Sequence, residues 1–126
     1  MLMEEPTLLE ISVEDNNVLT ICGDTHGTSL VTCTDAGQFF DVLEIFRRNG
    51  YPSPTHQYLF NGDFVDRGSW STEVALLLYA FKLLYPKGIH INRGNHETDD
   101  MNKVYGFEGE CRSKYVHLKK KHLLPY

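Results

Sequence analysis

The chain has 126 residues, 41% hydrophobic and 23% charged, values near globular averages that indicate neither disorder nor a fibrous repeat. Its formal net charge of −5, with no basic stripe, argues against a nucleic-acid footprint, and Lys119, Lys120 and Lys121 read as a solvated run. No apolar run reaches membrane-spanning length, and Met1 to Pro6 lacks a signal-peptide pattern, so the expectation is a soluble intracellular protein, cytoplasmic with the nucleus as a second compartment.

In chain order, Val18-Leu19-Thr20-Ile21-Cys22 is a β-rich run that stops at Gly23, the pattern of a buried strand. From Gln38 to Asn49, Phe39, Val42, Leu43 and Phe46 recur at helical spacing, and Gly50 and Pro52 end the helix. Tyr58-Leu59-Phe60 predicts a second strand ending at Asn61-Gly62. Val74, Leu77, Leu78, Phe81 and Leu84 predict a second helix, ended by Pro86. Ile89-His90-Ile91 predicts a third strand, and Met101 to Val104 and Cys111 to Lys121 carry weaker helical patterns. This βαβαβ order implies an α/β sheet with helices packed on it, whose functional groups gather where loops leave the strand C-termini.

Those three strand ends carry Gly23-Asp24-Thr25-His26-Gly27, Gly62-Asp63-Phe64-Val65-Asp66-Arg67-Gly68 and Arg93-Gly94-Asn95-His96-Glu97. Taken singly each has an ordinary explanation, because Asp and Asn favour turns and a lone histidine is usually just hydrogen-bonded. Taken together, three clusters of oxygen and nitrogen donors at successive strand ends would converge in space, and their chemistry suits Mn, Fe or Zn. Cys22, Cys33 and Cys111 are odd in number and lack a Cys-x-x-Cys pair, which argues against a disulfide framework or a thiolate zinc site. No Arg-bearing phosphate loop follows any of them, so a cysteine nucleophile is disfavoured as well.

Gly-Asp-x-His-Gly, Gly-Asp-x-Val-Asp-Arg-Gly and Arg-Gly-Asn-His-Glu in this order resemble the phosphoprotein phosphatase family of serine/threonine phosphatases. Phe81-Lys82-Leu83-Leu84-Tyr85-Pro86 and Tyr105-Gly106-Phe107-Glu108-Gly109-Glu110 are similar to its type-5 branch. The resemblance runs from about Pro6 to Tyr115 within a single partial catalytic domain spanning 1–126. It implies an incomplete metallophosphatase fold, part of a two-sheet β-sandwich flanked by helices.

The same resemblance implies that Asp24 and His26 hold one divalent metal ion, that Asp63 bridges two, and that Asn95 binds the second, manganese being expected and iron or zinc also suiting the set. His96 resembles the proton donor to the leaving serine or threonine oxygen, Asp66 the carboxylate that orients its ring, and Arg67, with Asn95, the grip on the phosphate. On the residues alone, Asp66 and His96 could equally be a structural pair, and Arg67 a local ion-pair partner. Glu97 reads as a hydrogen-bonding residue rather than a ligand. Phosphoprotein substrates are the implied partners, with no nucleic acid and no membrane.

The chain departs from the family where Thr28 to Gly37 stand between Gly27 and Gln38, at polar Asn92, and from Val116 to Tyr126, which no longer resemble it. The family's second half, with two further histidine ligands and another arginine, is not in this sequence, so the expectation for the chain alone is weak or absent activity. Two rival functions stand beside the phosphatase: a non-catalytic truncated isoform that binds a metal or a partner, and a phosphoesterase of dinucleoside polyphosphates, which shares the three loops.

Overall fold

The computed structural model describes residues 8–25 and 37–122. In order these form β1 (Val18–Cys22), α1 (Gly37–Asn49), β2 (His56–Phe60), α2 (Ser71–Leu84), β3 (Ile89–Ile91), α3 (Asp99–Tyr105) and α4 (Phe107–His122). The strands make one parallel sheet in the order β1-β2-β3, with Val18 opposite His56 and Phe60 opposite Ile91. The expected βαβαβ order is therefore present. Among the described residues there is one sheet, and the second sheet of the expected sandwich is not among them.

Helices α1 and α2 pack against each other and bury one face of the sheet. Period-two alternation on β2 sends Tyr58 and Phe60 into this core, where they meet Val42 and Phe46 of α1, Val74 and Leu78 of α2, and Ile89 of β3, all at 0% exposure. Phe46 is the hub, standing edge-on to Tyr58 at 5.1 Å, Phe81 at 5.2 Å and Phe60 at 6.2 Å, the geometry that the ring quadrupole favours. On the opposite face Gln57 donates to the Ser12 carbonyl at 3.1 Å and pairs with His90 Nε2 at 3.1 Å, while Ile21 of β1 is 65% exposed.

Three boundaries differ from the sequence reading. β2 starts at His56 rather than Tyr58, because the Val18 amide donates to Thr55 and His56 Nε2 meets Thr20 Oγ1 at 2.8 Å, a long-range pairing that polar His-Gln conceals. α2 starts at Ser71 rather than near Val74, for a reason that lies in α4 and is given below. α3 and α4 are longer than their weak apolar patterns, since Gly106 between them, at φ 110°, stops one helix and lets the next begin at Phe107.

The Tyr58 hydroxyl donates to the Gly50 carbonyl at 2.5 Å, tying β2 to the end of α1. Tyr58→Phe is expected to cost about 1–2 kcal/mol, because a part-buried carbonyl loses its donor while the ring packing stays. Chemical denaturation checks this through the midpoint at unchanged slope.

Candidate metal and phosphate site

The parallel ladder continues one residue past the strands: the Asn61 amide donates to Cys22 and the Asn92 amide to Phe60. The three loops therefore leave the sheet side by side. The Thr25 amide reaches the Asp63 carbonyl at 3.3 Å, joining the first loop to the second. The second and third meet backbone to backbone, since a Cβ on Gly62 would stand 2.3 Å from the Gly94 nitrogen, and one on Gly94 would stand 2.2 Å from Asp63 Oδ1. Only glycine permits that approach.

Glu97 holds this junction together. Its carboxylate accepts the amides of Asp63 (2.7 Å), Phe64 (2.9 Å), Val65 (3.3 Å) and Gly94 (2.8 Å), so one side chain serves donors from two loops. Asp63, Asp66 and Arg67 sit in left-handed backbone at φ 52°, 66° and 60°, a strained conformation for residues with a Cβ that persists where surrounding contacts over-determine it. Glu97 is therefore a hydrogen-bonding residue, as the sequence suggests.

Asp63 Oδ1 accepts the His96 amide at 2.8 Å, and its Oδ2 has no protein partner among the described residues. The Asn95 side chain is exposed, with its amide likewise unpartnered among the described residues, while its carbonyl accepts the Thr98 hydroxyl at 2.8 Å. Asp24 lies exposed at the end of β1; His26, Cys33 and the atypical stretch from Thr28 lie outside the described residues up to Gly37, which opens α1. Among the described residues no three His, Cys, Asp or Glu side chains form a ready-made metal cluster. The carboxylates of Asp24 and Asp63 and the amide oxygen of Asn95 are nevertheless hard donors of the kind divalent metals take, and Asp63 keeps an oxygen in hand for one.

Beside these donors, His96 (2% exposed) and Asp66 (1%) form a buried pair, Nδ1 to Oδ2 at 2.9 Å. A carboxylate oxygen accepts, which puts a ring proton on Nδ1 and leaves Nε2 on the opposite side of the ring, toward Arg67. Arg67 Nη2 stands 3.3 Å from that Nε2, with the Tyr105 ring edge-on to the imidazole at 5.0 Å. Asn92, the polar departure at the end of β3, donates to Asn61 Oδ1 at 3.1 Å, so its side chain is partnered. Burial pushes the Cys22 and Cys111 thiols up, the opposite of what a thiolate nucleophile needs.

Two contributors escape a reading by residue type. The Phe107 amide donates to Asp66 Oδ1 at 2.9 Å, and a backbone donor leaves no mark in side-chain identity. Glu110 of α4 accepts the Ser71 and Thr72 amides at 3.2 and 2.8 Å, serving the first turn of α2, whose own N-cap residue, Trp70, makes no side-chain capping bond. That is why α2 begins at Ser71.

Burial alone would raise the Glu110 and Glu73 carboxyls, but bonds from Thr72 to Glu110 and from Lys114 to both hold them below the usual range. Depressed carboxyls give stability that is full above their unfolded-state values, about 4.3, and is lost as pH falls through the lower folded values. Trp70, the single tryptophan, lies 5.1 Å from Lys114 Nζ. Its fluorescence is therefore expected to change in that acid window, and to change less in Glu110→Gln, where only the Glu73–Lys114 pair is left to titrate.

The family profile described as calcineurin-like phosphoesterase matches residues 18–125. Serine/threonine-protein phosphatase T of Aspergillus oryzae is 70% identical over 111 residues, 88% of this chain and 21% of its own length. Serine/threonine-protein phosphatase 5 of Homo sapiens is 56% identical over 110 residues, 87% of this chain and 20% of its own. A solved serine/threonine phosphatase from Saccharomyces cerevisiae, described as similar to human phosphatase PP5, superposes with a TM-score of 0.71 at 54% identity, covering 85% of this chain and 31% of that one. The chain spans about a fifth of the length of the curated relatives it matches. The three loops, the parallel sheet that aligns them and these likenesses lead to one conclusion: the chain belongs to the calcineurin-like phosphoesterase family.

Proposed function

We propose that the protein is a metal-dependent serine/threonine protein phosphatase that hydrolyses phosphoserine and phosphothreonine in protein substrates. Asp24 and His26 would hold one divalent metal ion, Asn95 a second, and Asp63 both, with manganese as the preferred metal and iron or zinc compatible with the donors. Such a pair, when bound, supplies an acidified water and charge neutralisation at the phosphate.

The chain's own residues do the rest. Asp66 fixes the His96 ring with Nε2 on the side of Arg67, where a proton on it would pass to the departing serine or threonine oxygen. Arg67, exposed and beside Nε2, offers a planar fork for phosphate oxygens. The observation that carries this reading is the buried Asp66–His96 pair, tied through the His96 amide to the carboxylate proposed as the bridge.

A substrate panel tests it. For the full-length protein, chelator-sensitive release of phosphate from a phosphoserine peptide is expected, with dinucleoside polyphosphate a poor substrate. Turnover of the dinucleotide without the peptide would overturn the assignment.

A further inference from the structure

α4 is attached to the rest of the protein in an unusual way. None of its described side chains is fully buried. Phe107 packs against the edge of the core and, with Cys111 and Tyr115, lines a small apolar cavity against Ala75 and Tyr79 of α2, and beside that apolar contact the attachment is a polar network. Glu110 takes the Ser71 and Thr72 amides and the Thr72 hydroxyl, the last at 2.5 Å. Lys114, one turn further on, reaches the Ser69 carbonyl at 2.6 Å, Glu73 at 2.6 Å and Glu110 at 3.1 Å.

Glu110 lies three residues after Phe107, close to one turn along the same rigid helix, so a shift at one is passed to the other. The Phe107 amide is the group that holds Asp66 Oδ1 while Oδ2 holds His96. The strained loop carrying Asp63, Asp66 and Arg67 is thus held at its start by Glu97 and beyond its end, at Ser71 and Thr72, by Glu110.

We propose that Glu110 is a positioning residue: by docking α4 on the first turn of α2 it sets the Phe107 amide on Asp66, and through Asp66 the ring of His96. The inference rests on the phosphatase reading for its kinetic consequence. Glu110 touches no reacting group and acts only through this relay.

The test compares Glu110→Ala and Glu110→Gln in the full-length protein with Val42→Ala, a core truncation away from the site. For Glu110→Ala, kcat on a phosphoserine peptide is expected to fall about ten- to a hundredfold, the effect of a small misplacement, with KM nearly unchanged and Glu110→Gln intermediate. The downfield His96 Nδ1 proton resonance is expected to shift or broaden in step. Val42→Ala should lower the melting temperature yet keep both kcat and the resonance. If the Glu110 variants melt earlier but keep kcat and the resonance, Glu110 is merely structural and the proposal is wrong. If the wild type does not hydrolyse the peptide, the phosphatase reading fails, and the resonance alone still decides the role of Glu110.

Discussion

His96→Asn is expected to lower kcat for a phosphoserine peptide by about 10²- to 10⁴-fold, the usual worth of a positioned proton donor. Asparagine has no titrating nitrogen to give the leaving oxygen, and a serine or threonine alkoxide leaves poorly without a proton. The rest of the site should survive the change. The bond to Asp63 Oδ1 comes from the backbone amide of residue 96, and Asp66 keeps the Phe107 amide. Metal titrations run alongside the kinetics should therefore give wild-type midpoints while turnover collapses. Residual activity within about tenfold of wild type would mean that the proton comes from another group.

Glu97→Ala is expected to be the most destabilising substitution in the site. Four amides lose their acceptor at once, those of Asp63, Phe64, Val65 and Gly94. An unsatisfied buried donor costs about 1–3 kcal/mol, and because water can enter this half-buried position the total should be about 3–5 kcal/mol rather than the full sum. A domain stable by about 5–15 kcal/mol would lose a large share of that margin. Glu97→Gln should fall between, since one amide oxygen remains and the new NH₂ faces donors. The released loop carries Asp63, so metal affinity should drop with the melting temperature. Stability within about 1 kcal/mol of wild type in Glu97→Ala would show that the loops are held by something else.

Much of this was legible in the residues. The first and third strands stand where their apolar runs place them, and glycines after the strands marked the loops, Gly62 and Gly94 because the close backbone approach there needs them. Asp66 and His96 were expected as a pair and stand 2.9 Å apart. Long-range bonding to backbone was not legible: His56 joins β2 through Thr20 and its place beside β1, and Ser71 joins α2 through a carboxylate 39 residues away. Phe107 reads as one more apolar residue, although its amide is what reaches Asp66. Glu97 was readable as a hydrogen bonder, but not that it spans two loops.

The most direct test of the central claim is the metal dependence of phosphoserine-peptide hydrolysis by the full-length protein, measured for wild type and Asp63→Asn after chelation and stepwise return of manganese. The proposed site predicts that manganese restores the wild-type rate but leaves Asp63→Asn near background, with a weaker metal midpoint. A rate indifferent to the chelator, or restored equally in both proteins, would contradict it.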